Sequence, residues 1–581
     1  MEENVKAEGW DMSCDVLIIG AGLAGGTLAR HLRLAHPDLD IVVVDRATEF
    51  TSGVDEPTSE EFADYANRVL RIGPYLRKHH VTSSGARFFF DSAERDLPIQ
   101  RMSEIGGRAP HPVPTYLIDR PAVEQALCEM NRDSGVRVLL GTEVLHCQPG
   151  ESPAAAITLD GENGHLVRTS AGTIRCTWLV DAAGEASPLV RMLDLSSPGK
   201  PDRLESAWAR FRGCRPLDEL GTPAWRRRVP HWGRGSSVSY FMYRGYWLWL
   251  LPVTDTECSI GVVLDRRSVR PSLATAEGFT EFLLSHRVMR DILGPRPEAH
   301  AFGRRDRLSH LASRQFSEDR WFLTGRSSAL IDPMFGASSW IFTENNKLIS
   351  EFIASDRTGR GHELPGMVHH YGIRIRSRFE KLHSAQDHYD ARGSFDAWAA
   401  WLALRNRVYY NRIVPDAFED HRILMWFARH HGTDCPCDER VMEGRLARLL
   451  RTADRLTDEF AGLLDASGDY HTGNTGRFLD SGSFDQDPVL IRKLHQPRDV
   501  DLEVPADERS YQILCRTLVR RLVEIAGEPW DEEVFRSVFD PDWDNRQTLT
   551  DMYQKMLRLV RRPHTGNGPD RPALRAPAQR A

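Results

Sequence analysis

The run CDVLIIGAGLAGGTLARHL, Cys14 to Leu32, constrains the fold of this chain more than any other stretch. An apolar strand, a cluster of glycines and a helical segment follow one another, and a second apolar run, DIVVVDR, ends at Asp45 and Arg46. Gly20 lets the backbone turn tightly, Gly22 lets it approach a diphosphate, and Gly25 lets the helix lie close on the strand. The helix would then present its first amides and its positive dipole end to the phosphates. Asp45, closing the second strand, is placed to accept hydrogen bonds from a ribose hydroxyl, with Arg46 beside it. Strand, glycines, helix, strand and acid in this order predict a dinucleotide-binding βαβ unit. They do not choose between a nicotinamide and a flavin cofactor.

Composition sets the outer bounds. A chain of 581 residues can bury a large core and divide into several units. Its formal net charge of −7 gives no reason to expect a nucleic acid or an anionic membrane as partner. No apolar run approaches the length of a membrane span, and the polar, acidic start MEENVKAEGWDMSCD does not read as a signal peptide. Nine scattered cysteines point to a reducing, cytoplasmic setting rather than a disulfide framework. Cys435 and Cys437 match no zinc or thioredoxin spacing. The histidine pairs His79–His80, His369–His370 and His430–His431 are adjacent in sequence, and His383 and His388 also miss the spacing that shares a helical face. No metal is expected.

The predicted fold class is α/β: a three-layer FAD- or dinucleotide-type fold with an inserted β-sheet substrate domain, followed by a helical C-terminal region. Residues 1–12 read as a flexible leader and residues 13–361 as the nucleotide and substrate domains. Residues 362–562 show apolar positions at helical spacing, and residues 563–581, rich in Pro, Arg and Ala, read as a disordered tail.

The second unusual string is GYWLWLLP, Gly245 to Pro252. Alternation along a strand puts Trp247 and Trp249 on one face, either as ordinary core or as one wall of a site. With the glycine fingerprint, the string resembles the flavin-dependent halogenases, whose signature is Trp-x-Trp-x-Ile-Pro; only Leu251 differs. Three further segments carry the same resemblance, which covers residues 1 to about 390. YLIDRPAVEQAL places Arg120 where related flavoproteins carry a cofactor-contacting arginine. WLVDAAGEAS, with Asp181 and Gly184, resembles the Asp-x-x-Gly strand end of FAD enzymes. SALIDPMFG, with Asp332 and Pro333, resembles their Asp-Pro turn beside the flavin ring. The resemblance implies FAD as cofactor, with reduced flavin supplied by a separate reductase.

Departures from the family bear on the chemistry. In halogenases, hypohalous acid formed at the flavin is passed to a catalytic lysine. Here VDEPTSEEF resembles the loop facing the flavin, with Glu56 as the best candidate acid or base. The lysine segment resembles SSGARFFF, and Ser83 stands at the lysine position. A serine supplies neither an ammonium nor an amine. Arg326 stands where the family has an aspartate meeting the ribityl chain; it either contacts FAD differently or obstructs it. Trp340 puts a large ring after the turn where the family has small residues holding the halide. The resulting expectation is an FAD-dependent oxidoreductase that does not halogenate: a monooxygenase or dehydrogenase acting on an aromatic or polyketide-like small molecule, free or held on an acyl- or peptidyl-carrier protein. The alternatives are a true halogenase with another capture residue, and a redox-silent binding protein of the same fold.

Overall fold

In a computed structural model of the chain, the apolar runs and helical segments are organised around two large sheets. The structure describes residues 10–50, 56–108, 115–145, 156–196, 203–230, 233–254, 256–384, 389–408, 439–483, 506–542 and 547–561.

The first sheet is built on the strand Met12–Ile19. Ile41–Asp45 and then Arg137–Leu140 lie parallel on one side of it, and Gly172–Asp181 lies parallel on the other. Trp321–Leu323 joins the end of Gly172–Asp181, also parallel. Parallel strands covered on both faces need unbroken apolar sequence, and Val16, Leu17 and Ile18 are each 0% exposed. The helix Leu23–Ala35 packs on one face through Leu28 and Leu32, beside Leu348 and Phe352 of the long helix Ala337–Arg357. Leu189, Val190 and Leu195 cover the other face. Ile19, Asp45 and Asp181 all end at the carboxyl edge, where open α/β sheets bind their ligands.

The second sheet has eight strands, in the order Glu298–Arg305, Leu204–Arg212, Glu257–Asp265, Tyr246–Pro252, Val238–Tyr243, Ala86–Phe90, Ser103–Gly106 and Phe478–Asp480. Its centre is the hairpin Val238–Tyr243/Tyr246–Pro252, turned at Gly245 with φ of +82°, a region that favours glycine. The helices Ala276–Leu284 and Arg287–Leu293 pack on one face of this sheet, and the aromatic helix Phe395–Val408 on the other. The α/β class and the inserted sheet are as the sequence predicts.

Three details differ from the sequence reading. The first strand starts at Met12, and the chain is anchored before it: the Asp11 carboxylate accepts the Thr173 amide at 2.8 Å, and Arg175 lies 4.4 Å over the Trp10 ring. The stretch after residue 362 supplies the helices Leu364–Ser384, Phe395–Val408, Glu439–Ser467, Ala506–Ile525, Glu532–Val538 and Leu549–Val560. It also returns a strand, Phe478–Asp480, to the second sheet, parallel to Ser103–Gly106. The cysteines are not all unpaired: Cys214 and Cys258 form a disulfide, with Cα atoms 6.4 Å apart. Phe211 and Cys258 are register partners on adjacent strands, so the chain after Phe211 curls back onto its neighbour, which a separation of 44 residues does not announce. Cys435, Cys437, His388, His430, His431 and residues 563–581 lie outside the described residues, as does the side chain of His383.

Candidate active site

A cleft of about 700 Å³ opens at the carboxyl edge of the first sheet, lined by Gly20, Gly22, Asp45, Arg46, Arg120, Gly184 and Arg326. Ligand sites of about 300–1,000 Å³ are typical. Its floor is the glycine loop. Gly20 has φ of +107°, and a Cβ there would lie 2.6 Å from the Ala182 carbonyl oxygen. A Cβ on Gly25 would lie 1.9 Å from the Gly20 carbonyl oxygen, so helix and loop meet only because Gly25 lacks a side chain. Asp45 braces the loop: its carboxylate accepts the Ala21 amide at 2.7 Å and the Ala47 amide at 2.8 Å. Loop amides, a strand-end carboxylate and arginines form a donor set suited to a dinucleotide, and the residues fit FAD.

Arg120 begins the helix Arg120–Asp133. Its Nε donates to Glu124 Oε1 at 2.8 Å, and the same oxygen accepts the Leu23 amide, the first of the fingerprint helix, at 2.9 Å. The sequence reading did not single out Glu124, although a carboxylate four residues after an arginine on a helix is a readable pair. Arg191, Glu185 and Arg305 also line the cleft. Arg305 pairs with Glu185 at 2.6 Å across 120 residues of sequence, which no local pattern reveals.

Asp181 does not face the cleft. It is fully buried and accepts from Ser187 Oγ at 2.6 Å, the Leu189 and Ala183 amides at 3.0 Å, and Ser327 Oγ at 3.0 Å. Burial pushes its carboxyl above the ordinary range against the pull of those hydrogen bonds. Ser327 Oγ also accepts the Gly184 amide at 2.9 Å, which fastens the two cleft loops together. Arg326, in the short turn Gly325–Ser327, is half-buried at the cleft rim.

Asp332 is likewise absent from the cleft lining; it is 1% exposed and faces the C-terminal region. One oxygen accepts the Tyr389 hydroxyl at 2.5 Å and lies 3.3 Å from Arg392 Nη1, and the other accepts the Met334 amide at 3.0 Å. Burial, then the Asp332 charge, holds the Tyr389 phenol well above its ordinary pKa, so it stays a donor. After half-buried Pro333 the chain passes through Phe335 at φ of +66° and Gly336 at φ of +68° before entering the long helix. The Phe335 amide donates to the Tyr240 hydroxyl at 3.3 Å, and Arg405 lies 3.7 Å over the Phe335 ring. Trp340 does not reach this turn's cleft side. Ser338 and Phe342 line the cleft, whereas Trp340, 1% exposed, packs with Phe379, Leu382 and the C-terminal core. The helix is already running at Ala337, so Ser338 and Phe342, four residues apart, share the face turned to the cleft.

Trp247 and Trp249 share a face, with ring centroids 5.7 Å apart. They are 1% and 5% exposed and pack with Phe88, Tyr240, Met334, Tyr389 and Trp398. Ser83, 5% exposed, ends the strand Val81–Ser83, and its hydroxyl accepts the Gly85 amide at 3.0 Å. Glu56 forms a short strand with Pro57, in register with Ile118; its side chain lies outside the described residues. Among the described residues, no group of three or more His, Cys, Asp or Glu side chains is arranged to hold a metal ion, and no helix is long and apolar enough to cross a membrane.

Comparison with known proteins agrees with this geometry. Residues 13–226 match a family model described as an FAD binding domain. A flavin-dependent halogenase, chlA, of Dictyostelium discoideum is 22% identical over 563 residues, covering 90% of each chain. A tetracycline 7-halogenase of Kitasatospora aureofaciens is 32% identical over 193 residues, covering 31% of this chain and 32% of that protein. Among solved structures, the halogenase PltM in complex with phloroglucinol and FAD shares the fold, with a TM-score of 0.59 at 16% identity over 88% of this chain and 96% of that one. The glycine cradle, the matched domain and the shared fold converge, and the chain is an FAD-binding protein akin to the flavin-dependent halogenases.

Proposed function

We propose that this protein is an FAD-dependent oxidoreductase that does not halogenate, a monooxygenase or dehydrogenase acting on an aromatic or polyketide-like small molecule. Ser83 carries the reading. By resemblance it stands at the halogenase lysine position, and it is buried with its hydroxyl accepting the Gly85 amide. A hydroxyl cannot take up and deliver a halogen as an amine does. When bound, FAD supplies the oxygen or hydride chemistry. The chain supplies placement: the Gly20–Gly22 backbone, Asp45 and Arg120 hold the nucleotide portion. Trp247, Trp249 and the aromatic side chains around them exclude water on the substrate side. A flavin reductase and a carrier protein are the partners this reading expects.

A second reading, a true halogenase with another capture residue, is favoured by the retained pair Trp247 and Trp249. The two separate in one assay. The protein is supplied with FAD, a flavin reductase, NADH, oxygen and a panel of phenolic compounds, with and without bromide. The proposal expects the same oxidised products in both; a brominated product appearing only with bromide assigns the second reading.

A further inference from the structure

A helix N-terminus in a dinucleotide fold offers its first amides to a diphosphate. Here the first of them is taken. Leu23 N–H donates to Glu124 Oε1 at 2.9 Å, and Glu124 is 4% exposed. The same oxygen accepts from Arg120, the cation that the resemblance assigns to the cofactor, at 2.8 Å. A Cβ on Gly22 would stand 3.3 Å from that oxygen and 3.9 Å from Arg120 Nη2. The glycine that admits a diphosphate thus faces a carboxylate and an arginine already joined, and all three line the cleft.

We propose that Glu124 is a gate on the cofactor site, setting FAD affinity low and its exchange fast. The proposal rests on the reading that this cleft receives FAD. A diphosphate reaching the loop competes with Glu124 for the Leu23 amide and for Arg120, and its charge meets the Glu124 carboxylate across a single shared cation. Glu124 must turn away or share Arg120 each time FAD binds, and it returns to the amide when FAD leaves. Such a carboxylate suits an enzyme that takes up reduced flavin from outside and releases the oxidised form.

FAD titrations followed by flavin fluorescence, with riboflavin as a probe lacking the diphosphate, test the gate. Glu124→Gln keeps the shape and removes the charge. It should bind FAD about tenfold more tightly, the scale of one partly screened unit charge near a diphosphate. FAD dissociation should slow, while riboflavin affinity stays unchanged. Arg120→Gln should weaken FAD. Equal or weaker FAD binding by Glu124→Gln overturns the gate and makes Glu124 a positioning residue for Arg120. An equal gain for riboflavin overturns it too. If neither wild type nor Glu124→Gln binds FAD while both melt at the same temperature, the cofactor reading itself falls and the gate with it; binding by the variant alone supports a gate that is closed in the wild type.

Discussion

Replacing Asp332 by Asn tests whether the C-terminal region holds the turn that leads into the long helix. Asp332 is 1% exposed, and its charge is met by Arg392, 0% exposed, at 3.3 Å and by the Tyr389 hydroxyl at 2.5 Å. Removing one partner of a buried pair costs about 3–5 kcal/mol, because the remaining charge is left in a low-dielectric site. Tyr389→Phe removes one hydrogen bond to a charged acceptor, about 1.5–3 kcal/mol. With Asn at position 332 the phenol has only a neutral amide to donate to, so its removal then costs about 1 kcal/mol. The double variant should therefore be more stable than the sum of the singles by about 0.5–2 kcal/mol. Urea unfolding followed by tryptophan fluorescence reads this, since Trp398 and Trp247 lie beside the cluster. The Asp332→Asn variant should also lose FAD affinity, because the turn feeds the helix that presents Ser338 and Phe342 to the cleft. Losses that add to within about 0.5 kcal/mol would show that Tyr389 and Asp332 are not coupled and would refute the clamp.

Two further outcomes follow from the same geometry. Arg326→Asp should weaken FAD binding about tenfold, because it replaces a cation at the rim of a cleft already lined by the exposed carboxylates Glu49, Glu143 and Glu185 with another anion; tighter binding in the same titration would mark Arg326 as an obstruction. His286, fully buried and bonded to the Tyr246 hydroxyl at 2.7 Å, is held neutral: burial, then Arg95, lowers its pKa from 6.5 to about 4. The unfolded chain takes up that proton first, so the stability this residue confers is complete above pH 6.5 and falls as pH drops towards 4. The advantage of wild type over His286→Phe should shrink by about 1.4 kcal/mol per pH unit across that window in urea titrations. A difference independent of pH would disprove the neutral assignment.

Legibility in the sequence followed the range of the interactions. The glycine loop and Asp45 were readable because turn, helix start and strand end lie within a few dozen residues, and steric demands at Gly20 and Gly25 leave little choice of residue. The shared face of Trp247 and Trp249 follows from strand alternation alone. What packs against them does not: Tyr389, Phe395 and Trp398 come from a region whose helical periodicity says nothing about which face meets the sheet. Trp340 shows the same limit at shorter range. Its place in the string suggests a ring in the turn, yet two residues after Ser338 a helical side chain points away from the face that Ser338 and Phe342 share.

The carboxylates are the most telling case. Asp181 and Asp332 were expected on resemblance at the cofactor, and both are spent inside the protein. Asp181 ties one cleft loop to Ser327, and Asp332 ties the other to Tyr389 and Arg392. Asp45 lines the cleft but already receives two backbone amides, and Glu124 receives a third with Arg120. Each acid thus buys a fixed backbone shape rather than a direct ligand contact. Exposed Glu49, Glu143 and Glu185 also line the cleft, Glu185 paired with Arg305, so the loop meets an anionic cofactor with its amides and with Arg120, which is shared with Glu124. On the proposed gate, affinity for FAD in this chain is set less by how many residues reach the cofactor than by how readily Glu124 yields the helix end.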